Sequence, residues 1–133
     1  MMLCIAAAGI VTALATSSFT LSWTHSVEHT QWRETWAVEN GGLHLVAASV
    51  EGSGAGIAVP EDAVWADGRW TYAPALPPLR SLDLAASGMT PSPWTLCPAD
   101  GPCLTLGDKP GQNIHLWPAP LCSARPAGEL PAG

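Results

Sequence analysis

Residues 19–38 read FTLSWTHSVEHTQWRETWAV, and the alternation in this stretch decides the fold. Phe19, Leu21, Trp23, His25 and Val27 alternate with Thr20, Ser22, Thr24, Ser26 and Glu28. Trp32, Glu34, Trp36 and Val38 alternate with Arg33, Thr35, Ala37 and Glu39. A period of two marks a strand with one buried face. The residues between, Glu28-His29-Thr30-Gln31, suit a four-residue hairpin loop. The expected register pairs Val27 with Trp32, His25 with Glu34, Trp23 with Trp36 and Leu21 with Val38. Only His25 and Glu34 depart from apolar matching. A buried acid and imidazole cost stability unless they satisfy each other or a ligand, so this pair is the first candidate for a site.

Working outward, Gly41-Gly42 reads as a two-residue turn. Pairing across it sets His44 opposite Glu39, Leu45 opposite Val38, Ala47 opposite Trp36 and Ser49 opposite Glu34. Glu34 then lies between His25 and Ser49 at one end of a sheet, beside the glycine-rich Gly52-Ser53-Gly54-Ala55-Gly56. The candidate ligand-binding residues are therefore His25, Glu34, Ser49, Gly52, Ser53 and Gly54. Small partners at 47 and 49 leave volume, glycines let backbone approach a ligand, and Trp23 and Trp32 offer flat walls. The competing reading is a structural pair that only fills a polar gap and fixes register. No catalytic dyad of His25 with Ser26 is expected, because adjacent strand residues point to opposite faces. The glycine run lacks the Lys-Ser/Thr of a phosphate loop, and no long helix follows it.

Further strands follow the same logic. Leu3–Ala8 and Val11–Ala15 read as a pair turning at Gly9. Trp65 to Trp70 reads as a hairpin about Asp67-Gly68 with a Trp65–Trp70 cross-strand pair. Leu82–Ala85 is a strand, Trp94–Cys97 and Cys103–Leu106 form a hairpin, and Ile114–Trp117 is a last strand. The 13 Gly and 13 Pro are spread along the chain, which punctuates short strands rather than long helices. The expected fold is all-β, a compact antiparallel sandwich or partly open barrel of about eight to ten short strands. Residues 1–122 form a single β domain and 123–133 a flexible C-terminal tail.

The composition excludes several functions. Net charge is −6 with five basic residues, Arg33, Arg69, Arg80, Lys109 and Arg125, which form no patch in the sequence. Nucleic acids and anionic membranes need clustered cations, so neither is an expected partner. Two disulfides or free thiols are both open to the four cysteines, with Cys97 and Cys103 placed across a hairpin as the disulfide candidate. Their C-x5-C spacing is not that of a zinc site, and no metal or cofactor is expected. The apolar Met1–Ala15 lacks the basic start of a secretory signal, the first basic residue being Arg33. A periplasmic or membrane-associated location follows if the cysteines pair. A cytoplasmic one follows if the N-terminus is a strand and the thiols are free.

Trp23-Thr24-His25-Ser26-Val27-Glu28, then Trp32, Glu34 and Trp36, then Gly52 to Gly56, resemble the bacterial domain-of-unknown-function family 1850. Leu84 to Gly88, Trp94 to Cys97 and Cys103 extend the resemblance over nearly the whole chain. The resemblance implies an accessory role beside tripartite (TRAP-type) transporters with TAXI-type solute receptors, and no activity. The leading expectation is a non-enzymatic accessory or binding protein with a polar-ligand pocket at His25 and Glu34. Its partners would be the TRAP membrane subunit or the receptor. The alternatives are a hydrolase-like enzyme using Glu34 and His25, and a purely structural partner protein.

Overall fold

Three tight turns fix the local structure. Asn40-Gly41 reverses the chain with Gly41 at φ 85°, and Asp67-Gly68 does so with φ 53° and 74°. Asp67-Gly68 is the positive-φ pair of a two-residue hairpin turn, whereas at Asn40-Gly41 the glycine alone has positive φ. Gly9, at φ 78°, turns the N-terminal hairpin. The computed structural model describes residues 1–7, 9–24, 30–52, 60–85, 94–107 and 113–122. Among these, all regular structure is strand, and no helix is long and apolar enough to cross a membrane.

Among the described residues, eleven strands form two antiparallel sheets packed face to face, with no closed barrel. They are β1 (Met2–Ala7), β2 (Ile10–Leu14), β3 (Ser18–Thr24), β4 (Gln31–Glu39), β5 (Gly42–Glu51) and β6 (Val64–Ala66). The rest are β7 (Arg69–Tyr72), β8 (Leu82–Ala85), β9 (Trp94–Pro98), β10 (Leu104–Leu106) and β11 (Asn113–Ala119). The small sheet has the order β2-β1-β11-β8, and the large one β10-β9-β3-β4-β5-β7-β6. The all-β expectation holds, as a sandwich.

The core lies between the sheets. Leu3, Ile5, Leu84, Ile114 and Leu116 come from the small sheet. Phe19, Leu21, Trp36, Val38, Leu43, Leu45, Leu96 and Leu106 come from the large one. A second, smaller cluster forms on the outer face of the small sheet, where Cys4, Trp117 and Ala119 are buried together. Cys4 is joined there to Cys122, and Cys97 is joined to Cys103 across the β9–β10 hairpin.

The β3–β4 register differs from the expected one. Trp23 pairs with Trp32, Leu21 with Glu34 and Phe19 with Trp36. The connection is six residues, 25–30, because Thr24 and Gln31 are the last pair. The β4–β5 turn is Asn40-Gly41 rather than Gly41-Gly42, so Val38 pairs with Leu43 and Trp36 with Leu45. A bulge between Thr35 and Trp36 then shifts the remainder, so that Glu34 pairs with Ala48 and Arg33 with Ser49.

Gly42 is a strand residue for a steric reason. A Cβ there would stand 3.0 Å from Pro78 Cβ and 3.3 Å from the Leu79 carbonyl oxygen. That segment docks on β5 through Leu43 N–H to Leu79 O and Leu79 N–H to Leu43 O, at 2.6 and 2.8 Å. Gly42→Ala is expected to lower unfolding free energy by about 1–3 kcal/mol, read from the urea midpoint. An unchanged midpoint would contradict the close approach. The two disulfides should differ in worth. Residues 4 and 122 are 118 apart and residues 97 and 103 are six apart. Loop-closure entropy gives about 5 kcal/mol for the first and about 2 for the second. Unfolding of the two Cys→Ser double variants, Cys4/Cys122 and Cys97/Cys103, should rank them in that order.

Candidate functional site

Opposite residues of antiparallel strands share a face, so the register places side chains in rows across the large sheet. One inner-face row runs from β9 to β6. Trp23 pairs with Trp32, Trp32 with Val50, Val50 with Trp70 and Trp70 with Trp65. Trp94 stands one step beyond the last β3–β9 pair, and its ring meets Trp23 with centroids 4.7 Å apart. Five of the seven tryptophans thus form a single row with fully buried Val50 among them. Trp23 and Trp32 stack at 6.3 Å and 9°, and Trp65 and Trp70 meet at 5.2 Å and 57°. Trp65 at the sheet edge is 47% exposed, whereas Trp23 and Trp94 pack on the main core. The Nε1 atoms of Trp32 and Trp70, and Thr30 Oγ1, are buried with no hydrogen-bond partner among the described residues. Each such donor costs about 1–3 kcal/mol.

Glu34 lies in the next row inward, between Leu21 and Ala48, both buried. Its Oε1 accepts a hydrogen bond from Trp36 Nε1 at 3.2 Å. Burial raises its pKa above the usual carboxylate value, against the lowering effect of that bond. Among the described residues no cation pairs with it.

The expected site is not assembled as anticipated. Glu34 faces Leu21 in the register, at the place expected of His25, and His25 lies outside the described residues. The reason is the six-residue connection, which moves the pairing without disturbing the alternation. Ser49 is on the outer face, opposite Arg33 and Thr71, because the bulge turns it away from Glu34. Gly52 follows β5 at φ 101° and donates its N–H to Gly68 O at 3.0 Å. Ser53 and Gly54 lie outside the described residues.

The basic residues do converge at one place, contrary to the sequence expectation. Arg69 donates from Nε to Ser49 Oγ, from Nη1 to Gln31 Oε1 and from Nη2 to Gln31 O, each at 3.2 Å. Arg33 Nη2 reaches the same Gln31 Oε1 at 3.5 Å. Burial, then the charge of Arg33, lower the Arg69 pKa, while Glu51 opposes them. Row pairing could have found this cluster, but only with the bulge known.

Other polar features lie elsewhere. His44 Nδ1 is 3.7 Å from Glu39 Oε2 at an exposed turn, and His115 contacts Asp83 on the outer face of the small sheet. A hollow of about 370 Å³ lined by Met1, Ala15, Thr16, Ser17, Val38 and Asp100 sits at the far end of β3 and β4 from the tryptophan row. Among the described residues no three His, Cys, Asp or Glu come together to hold a metal ion.

The raised Glu34 pKa has a definite sign for stability. Below the ordinary value of 4.5 the group is protonated folded or unfolded and costs nothing. As pH rises through the unfolded and then the folded pKa, the unfolded state releases its proton first and stability falls. Glu34→Gln keeps an acceptor for Trp36 and should raise the melting temperature near neutral pH. That gain should vanish below pH 4.5. A gain that persists in acid would contradict desolvation of an ionised carboxylate.

No curated protein and no solved structure matches the chain. One family model does, over residues 19–106, which span the large sheet and β8. The chain belongs to the family described as Domain of unknown function (DUF1850).

Proposed function

We propose that the chain is a non-enzymatic binding module, accessory to TRAP-type solute uptake, which receives its ligand on the tryptophan row with Glu34 as polar anchor. The observation that carries this reading is the row itself. Aromatic faces in one line are an expensive way to fill a core and an effective way to hold an amphipathic ligand. Glu34 would meet its polar or cationic end, since a desolvated carboxylate gains most from an opposite charge. An acceptor on the occupant would relieve Trp32 Nε1 or Trp70 Nε1, which are buried with no partner among the described residues. The TRAP link rests on the family resemblance, and the proposed partners are the membrane subunit or a TAXI-type receptor. The two disulfides favour an oxidising compartment, with β1 placing the N-terminal segment inside the fold. The hydrolase alternative loses its motive, because Glu34 pairs with Leu21 instead of His25.

The test is a thermal-shift and tryptophan-fluorescence screen of amines, amino acids and carboxylates on the full chain, with Trp32→Ala and Glu34→Gln. Ligand stabilisation that disappears in Trp32→Ala and weakens about tenfold in Glu34→Gln supports the reading. A response unchanged in both variants contradicts it. Co-purification with the receptor or membrane subunit tests the partner separately.

A further inference from the structure

The outer face of the large sheet gathers two of the chain's five basic side chains at one acceptor. Arg33 lies between Ser22 and Ser49 in its row, and Ser49 lies opposite Thr71. Both guanidinium groups donate to Gln31 Oε1. Glu51, opposite Arg69, acts on its charge without an ion-pair contact among the described residues, and its Oε1 accepts from Gln31 N–H at 2.9 Å. Among the described residues the acid–base contacts are His44–Glu39 and His115–Asp83, so neither arginine touches a carboxylate.

Two like charges on one amide oxygen repel, and an anion between them would offset that cost. The donors to hold one are present. Arg69 is fixed by its bonds to Ser49 and Gln31, yet each Nη keeps one N–H. Arg33 is exposed and spends one of its five N–H groups on Gln31. Ser49 Oγ accepts from Arg69, which braces the Arg69 fork, and no acceptor among the described residues takes its hydroxyl proton. The hydroxyls of Ser22 and Thr71 lie in the same row.

We propose that Arg33 and Arg69 form a docking point for a small oxyanion, a carboxylate or a phosphate group, on the face opposite the tryptophan row. The site does not depend on the binding role proposed for that row. Fixed forked donors suit planar or tetrahedral oxygens, which accept two N–H bonds at once.

The test is a titration of the isotope-labelled full chain with succinate and, separately, inorganic phosphate at constant ionic strength, following the arginine Nε–H signals. Saturable shifts of Arg33 and Arg69 with a Kd on the order of 1 mM are expected for at least one anion. The one that saturates distinguishes carboxylate from phosphate. Arg33→Gln, at an exposed position, should leave the fold intact and weaken binding about tenfold or more. Shifts that never saturate with either anion, or equal affinity in Arg33→Gln, would overturn the proposal.

Discussion

The pairing of Trp23 with Trp32 sets the register of β3 against β4 on the large sheet. Strand side chains alternate, so one cross-strand pair assigns the rest of its two strands to a face until a bulge, such as that in β5, resets the alternation. With that pair in place, Phe19, Leu21, Trp36 and Leu96 turn to the core, and Thr20, Ser22, Arg33 and Thr95 turn out. The junction of Trp23 and Trp94 with Trp32 and the place of Glu34 opposite Leu21 follow from this register, while the arginine pair follows from the β4–β5 and β5–β7 pairings. They also explain why the faces differ in chemistry. The inner face is aromatic with one acid, and the outer face is hydroxyl-rich with two cations.

The large sheet cannot stand alone, because its inner face is apolar over most of its width. The small sheet covers it, and three of its four strands, β1, β2 and β11, lie outside residues 19–106. The residues that match the family therefore contain the candidate site, whereas much of its cover comes from the chain on either side. The Cys4–Cys122 bond ties those two flanks together at the outer face of that cover.

Strand identity, two of the three tight turns and the sandwich class were legible from alternation and turn residues. Trp65 to Trp70 illustrates why: Asp-Gly and its flanking tryptophans leave a single sensible pairing, and it is the one found. The β3–β4 register was not legible. Sliding the pair from His25–Glu34 to Leu21–Glu34 moves it by an even number, so every residue keeps its face. Hydrophobic pattern cannot distinguish such registers, and only the length of the connection does. The bulge near Val46 was hidden for a different reason. One extra residue reverses the faces beyond it, which is how Ser49 left Glu34 and joined Arg69. The sequence reading sets the turn at Gly41-Gly42, one residue beyond its place at Asn40-Gly41. The structure shows that Gly42 instead answers the close approach of Pro78.

The register is therefore the claim to measure, through interstrand Hα–Hα and amide contacts by NMR on the labelled chain. The account requires contacts joining Trp23 to Trp32 and Leu21 to Glu34 across β3 and β4. Contacts joining Trp23 to Trp36 and His25 to Glu34 would contradict it, and would detach Trp23 and Trp94 from the rest of the tryptophan row.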